Sequence, residues 1–166
     1  FKSPASKIFM IGKRKDELGG SLYYSLHKEL GANVPNPNID EVKNQIYAIT
    51  DSIDNNLINA CHDISDGGVA VTLSEMTFEN NIGCSVNIPG KLSVEKLLFS
   101  ETGGFIIEII NSNVDEIKAI FQSYNLEIDL IGETTKEKYI KINNKIDLNT
   151  EEAKELWLNG LRDKIK

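Results

Sequence analysis

Apolar residues recur along the chain in two rhythms. Short, almost unbroken runs at 7–12 (KIFMIG), 56–62 (NLINACH), 82–88 (IGCSVNI), 105–110 (FIIEII), 127–132 and 139–146 are bounded by Gly, Asn or charged turns, and they predict strands. Between them the spacing widens to three and four residues, the period of a helix with one buried stripe. A helix opening at Gly20-Ser21 would bury Leu22, Ser25, Leu26 and Leu30 and close at Gly31. A second, capped by Asp40 and reaching Asn55, places Val42, Ile46, Ile49 and Ile53 on one line. Further helices are predicted over 67–80, over 94–99 behind a Ser93 cap, and after an Asn113 cap with Val114, Ile117, Ile120 and Phe121 in register. The last should run from Thr150 through Leu161, with Ala153 where a capping box would want Glu.

The loop at 32–38 (ANVPNPN) carries two prolines that forbid both helix and ladder pairing. Strand 56–62 reads as central, and the last two strands, consecutive in sequence, read as a hairpin. The pattern therefore predicts an α+β fold, a mixed β-sheet layered with helices, rather than a doubly wound one. No internal repeat or low-complexity linker divides the chain, so a single domain over 1–166 is expected.

Composition narrows the class. Of 166 residues, 40% are apolar and 26% charged, as in ordinary globular domains. A formal charge of −7 argues against a nucleic-acid surface, which needs clustered Lys and Arg. No apolar run is long enough to span a membrane, and no leader pattern is present. Cys61 and Cys84 both sit in strand-like contexts and read as buried thiols of a reducing cytoplasm.

The unusual chemistry is concentrated at 60–76 (ACHDISDGGVAVTLSEM), a strand-to-helix junction. Such junctions form the rim of a sheet where ligands sit. Asp63 and Ser65, two apart, project together if the chain is still extended, which suits a hard cation and a phosphate oxygen it bridges. Gly67 and Gly68 allow close backbone approach where a helix N-terminus favours an anion. A structural alternative stands beside this: Ser65 or Asp66 could simply cap the helix, and Asp-Gly-Gly is an ordinary turn. Gly19-Gly20-Ser21 poses the same choice between an N-cap and a phosphate contact. His62 taken alone reads as a satisfied core or rim histidine, and His27, with no partner at metal-ligand spacing, as a surface or interface residue; Glu75 reads as solvated or helix-pairing, and Trp157 as packing or docking.

The junction, His62-Asp63-Ile64-Ser65-Asp66-Gly67-Gly68 with Ala70, Leu73, Glu75 and Met76, closely resembles phosphoribosylformylglycinamidine synthase, in particular the second C-terminal-type domain of its synthetase portion. The family pattern is roughly HDxSDGGLAxxLxEM, with Val69 here in place of Leu. Leu18-Gly19-Gly20-Ser21, Leu98-Phe99-Ser100-Glu101 and Ile131-Gly132 extend the match over the whole chain. More distant relatives are thiamine-monophosphate kinase, selenophosphate synthetase and aminoimidazole ribonucleotide synthetase.

The resemblance implies an ATP-dependent amidoligase of purine biosynthesis, acting on formylglycinamide ribonucleotide and glutamine in the cytoplasm. It implies ATP or ADP and Mg²⁺ as cofactors, with Asp63 as a metal ligand and Ser65, Gly67 and Gly68 at the nucleotide. It also implies a preceding ATP-binding domain and a glutaminase domain or subunit as partners. The start at Phe1 rather than Met then reads as the C-terminal fragment of a larger synthetase subunit. Relatives commonly carry an Arg shortly after Ser100-Glu101, whereas this chain has Thr102-Gly103-Gly104. That departure implies a supporting rather than catalytic copy, with no catalytic residue in the fragment, and leaves a non-catalytic scaffold as the alternative.

Overall fold

The computed structural model describes residues 1–160. Seven strands form one mixed sheet: β1 (Lys7–Ile11), β2 (Ala60–Asp63), β3 (Gly83–Val86), β4 (Phe105–Ile109), β5 (Ile128–Thr135), β6 (Tyr139–Ile142) and β7 (Ile146–Asn149), in the order β2-β4-β1-β5-β3-β6-β7. Every pairing is antiparallel except β3 with β6, which run parallel. The helices are α1 (Leu22–Leu26), α2 (Ile39–Asp54), α3 (Gly68–Thr77), α4 (Val94–Phe99), α5 (Val114–Ser123) and α6 (Thr150–Asn159).

Alternation along β1 and β4 explains the layers. Ile8, Met10 and Ile106 point to one side and join Val69, Leu73 and Leu98 of α3 and α4. Phe9, Ile11, Ile107 and Ile109 point to the other and join Ala48 and Ile49 of α2 and Ile117 and Phe121 of α5. Both faces of the central strands are thus covered, which is why their sequences are continuous apolar runs. Glu108 is the exception in β4: its fully buried carboxylate accepts the backbone N–H groups of Lys2 (2.7 Å) and Ser3 (2.9 Å).

Several expectations are corrected. The strand carrying the junction is not central: β2 is an edge strand, paired only with β4. Its apolar neighbour Leu57 is buried before the strand starts, whereas Cys61 in the strand is exposed. Only Cys84 is the buried thiol expected of both. β5 and β6 do not form a hairpin, because β3 lies between them. The hairpin is β6–β7, where Asn143 and Asn144 both take positive φ (50° and 51°) and break the single strand expected over 139–146.

α1 is one short turn ending at Leu26 and buries none of its residues: Leu22 and Leu26 are 52% and 82% exposed, and Leu30, beyond its end, is 77% exposed. Asn38, not Asp40, caps α2, its side-chain oxygen accepting the N–H groups of Asp40 (3.1 Å) and Glu41 (3.3 Å). The buried line of α2 is Gln45, Ala48, Ile49 and Ser52, so Ile46 and Ile53 face outward. Asn149 caps α6, with Thr150 its first residue; the expected end at Leu161 lies outside the described residues. Ser93 and Asn113 stand at the starts of α4 and α5 without side-chain capping bonds.

Candidate nucleotide and metal site

Antiparallel pairing carries β2 to Asp63, opposite Phe105 of β4. The next residue anchors the corner: the Ile64 N–H donates to Gly104 O (2.8 Å) while its side chain is buried in the core. Asp63 and Ser65 flank this plug and stay exposed. Their side chains meet, the Ser65 hydroxyl donating to the Asp63 carboxylate. That bond, with smaller help from a backbone amide and His62 and against some desolvation, holds the Asp63 carboxyl below the usual carboxylate range. An ionised, solvent-facing carboxylate with an adjacent hydroxyl is a hard-oxygen donor set that fits a magnesium contact. Among the described residues no group of three or more His, Cys, Asp or Glu side chains is arranged to hold a metal, so Asp63 would be one ligand among others supplied by water, phosphate or a neighbouring segment.

Gly67 occupies the N-cap of α3, so the N-cap residue has no side chain with which to cap the helix, and neither Ser65 nor Asp66 takes that position. The Ser65 hydroxyl turns toward Asp63 and not toward a helix amide. Gly67 and Gly68 both have left-handed φ (79° and 65°), and the Gly68 N–H closes the turn on Ser65 O (3.0 Å). A Cβ on Gly68 would lie 2.7 Å from Leu98 O and 2.8 Å from Ser100 O, so the junction is pressed against the backbone of 98–100.

One carboxylate joins three motifs that are distant in sequence. Glu101 Oε1 accepts the Gly67 N–H (2.9 Å) and the Leu22 N–H (2.8 Å), tying the α3 start to the Gly19-Gly20-Ser21 turn. Ser21 itself is an ordinary N-cap, accepting the Tyr24 N–H (3.3 Å) while its hydroxyl donates to Leu18 O (2.6 Å). The Thr102-Gly103-Gly104 turn is held from below by Arg14, whose guanidinium donates to Thr102 O, Gly103 O (2.7 Å) and Gly12 O (3.3 Å). Burial pushes Arg14 down to about 10, with Glu17 opposing. Neither role was legible in sequence: Glu101 stood only as part of a family motif, and Arg14 was one charge in a charged turn.

Surface depressions among the described residues form away from the junction. One of about 570 Å³ is lined by Lys118, Gln122, Leu126 and Asp129, none of them from the junction. The junction is an open rim rather than an enclosed pocket. His62 and Glu75 are brought beside it, while His27 lies exposed as α1's C-cap, its ring tilted 57° against Tyr23 with centroids 4.9 Å apart. No helix among the described residues is long and apolar enough to cross a membrane.

Comparison with known proteins accords with this architecture. The phosphoribosylformylglycinamidine synthase subunit PurL of Methanothrix thermoacetophila is 36% identical over 171 residues, covering 99% of this chain and 22% of that protein. The phosphoribosylformylglycinamidine synthase of Dictyostelium discoideum is 35% identical, covering 75% of this chain and 10% of that protein. The chain therefore spans at most about a fifth of these relatives. Among solved structures, Thermotoga maritima PurL complexed with FGAR superposes with a TM-score of 0.79 at 16% identity, over 92% of this chain and 28% of that one. The same protein complexed with AMPPCP gives 0.70 at 17%, over 93% of this chain and 26% of that one. At such identities the likeness establishes the fold, an α+β mixed sheet. Residues 4–144 match the family model described as AIR synthase related protein, C-terminal domain, and the chain belongs to that family.

Proposed function

We propose that this chain is the C-terminal-type domain of a phosphoribosylformylglycinamidine synthase, an ATP-dependent ligase of purine biosynthesis, and that it contributes a magnesium–nucleotide contact at a supporting site. The observation that carries this is the Asp63–Ser65 pair: an ionised carboxylate and a hydroxyl bonded to each other, exposed at a sheet rim, with neither spent on capping α3. Asp63 would hold the magnesium and Ser65 would contact the nucleotide. Because Glu101 already takes the Gly67 N–H, what Gly67 and Gly68 offer a nucleotide is close approach over a backbone without Cβ atoms. Bound there, magnesium would neutralise polyphosphate charge. In this reading the chain's own residues orient and hold, and the catalytic residues belong to other parts of the enzyme.

The missing ligands would come from a preceding ATP-binding domain of the same subunit, and ammonia from a glutaminase domain or subunit. The exposed Leu22, Leu26, Leu30 and Ile39 support a neighbour on the α1 side. A cytoplasmic location goes with this reading. Asp63→Asn in the complete subunit tests it: loss of a charged contact worth about 1.5–3 kcal/mol should weaken magnesium-dependent nucleotide retention roughly 10- to 100-fold. Parental retention of metal and nucleotide would remove Asp63 from the site.

A scaffold role is the second reading, favoured by Glu101 occupying the amides that an anion would need. Under it, the double variant Asp63→Ala, Ser65→Ala keeps steady-state kinetics and loses only thermal stability.

A further inference from the structure

Helix α6 lies beyond residue 144, where the family match stops, yet it reaches the junction through a chain of polar contacts. Trp157 lays its ring against Phe78 (centroids 5.8 Å, 53° between planes), and Lys154 Nζ donates to Phe78 O (2.8 Å), docking the helix on the end of α3. The indole N–H of Trp157 donates to Glu75 Oε1 (2.9 Å). The other oxygen of that carboxylate, Oε2, lies 3.4 Å from His62 Nε2. The opposite ring nitrogen, Nδ1, is 2.8 Å from Asp63 O and 3.4 Å from Asp63 Oδ1. Nδ1 of His62 thus meets the Asp63 carbonyl at hydrogen-bond distance while Nε2 faces Glu75 at 3.4 Å, and the imidazole lies between the two carboxylates. Thr72 Oγ1 also lies near the Asp63 carbonyl (3.2 Å), its single proton shared between that oxygen and Gly68 O (3.1 Å).

We propose that Trp157, Glu75 and His62 form a brace through which α6 sets the position of the Asp63 carboxylate. Trp157 orients Glu75, Glu75 flanks the imidazole, and the imidazole's Nδ1 contact with the Asp63 carbonyl sets the direction of the carboxylate beside it. The three are positioning residues, and their effect on ligand binding rests on the reading of Asp63 as a metal contact. An outer shell of this kind fixes the direction of a metal-binding oxygen, and removing such a partner characteristically costs about 10- to 100-fold in metal affinity. Trp157 is the sole tryptophan of the 166 residues, so the brace carries its own reporter.

The test uses the full protein chain, with the Trp157 indole N–H resonance assigned by its disappearance in Trp157→Phe. In ligand-free protein, His62→Phe keeps a ring but offers Glu75 no N–H, and should shift that resonance; His27→Phe, remote from the brace, should not. Glu75→Gln and Trp157→Phe should each weaken magnesium-dependent ADP retention by about 10-fold while the melting temperature stays near the parent's. An indole resonance unmoved by His62→Phe overturns the brace. So does parental ADP retention in both Glu75→Gln and Trp157→Phe when Asp63→Asn has lost it. Parental retention in Asp63→Asn instead refutes the metal-site reading, and the brace is then decided by the indole resonance alone.

Discussion

Replacing Gly68 by Ala imposes two penalties at once. The residue sits at φ 65°, where an L side chain costs about 1–2 kcal/mol. Its new Cβ would also stand 2.7 Å from Leu98 O, 2.8 Å from Ser100 O and 2.9 Å from Phe99 C, all backbone atoms at the end of α4. No side chain can rotate away, so the strand-to-helix corner or the 98–100 segment must move, at the roughly 1–3 kcal/mol typical of overpacking. The sum is about 2–5 kcal/mol, which for a domain of this size lowers the melting temperature by about 4–20 °C. Two neighbours supply the scale. Gly67→Ala carries the same φ penalty, but the nearest atoms its Cβ meets belong to the half-buried Val71 side chain (Cγ2 at 2.3 Å, Cβ at 2.9 Å), which can yield part of the way by changing rotamer, so it should cost somewhat less. Gly103→Ala meets no atom within 4 Å and has no positive φ, so it should be neutral or stabilising by up to about 1 kcal/mol. Urea unfolding of the three variants should rank them 68, 67, 103 in order of damage. A Gly68→Ala chain within about 1 kcal/mol of Gly103→Ala would refute the argument that this corner is built on backbone contact.

Glu101→Ala should speed hydrogen exchange at the Gly67 and Leu22 amides together and cost about 1 kcal/mol, since water can reach both; Glu101→Gln, which keeps an acceptor, should lose less. Exchange that changes at one amide and not the other would break the proposed tie. Thiol labelling should separate the cysteines. Burial pushes Cys84 up to about 12, while desolvation and the Asp63 carboxylate push Cys61 up to about 11. Cys61, at the open edge, should therefore label slowly near pH 8 and faster as pH rises, and faster still in Asp63→Asn; Cys84 should label only on unfolding. Both folded values exceed the unfolded thiol's, about 8.5, so the unfolded chain sheds protons first. Stability should fall as pH climbs from there toward 12, and a rise over that window would contradict the assignment. Arg14→Met should destabilise by about 2–4 kcal/mol, because three backbone carbonyls lose their donor; a loss under about 0.5 kcal/mol would mean that solvent replaces it.

Sequence legibility followed burial. β1 and β4 were readable because both faces are covered and every position but Glu108 had to be apolar or at an end. β2 looked central for the same reason, but its apolar content is spent by Leu57 and Ile64 just outside the strand, and sheet order is a long-range property that no local run encodes. α1 misled because helical spacing says which residues share a face and not whether this chain supplies anything to cover it. The parallel insertion of β3 beside β6 overrode the rule that neighbours in sequence pair. At the junction, the Asp63–Ser65 encounter and the need for glycine at 67 and 68 could both be read from spacing and residue type. Glu101 and Arg14 could not, since their partners are backbone groups brought in by the fold.

The central claim is that Asp63 is a direct ligand of a nucleotide-bound dication in the assembled protein. Crystals of the complete subunit grown with Mn²⁺ and ADP, with the metal located by its anomalous signal, test it in one measurement. The account predicts an Asp63 carboxylate oxygen within about 2.3 Å of that ion and the Ser65 hydroxyl within hydrogen-bond reach of the nucleotide. A metal–nucleotide pair bound elsewhere, with Asp63 still engaged only by Ser65 and His62, would contradict it.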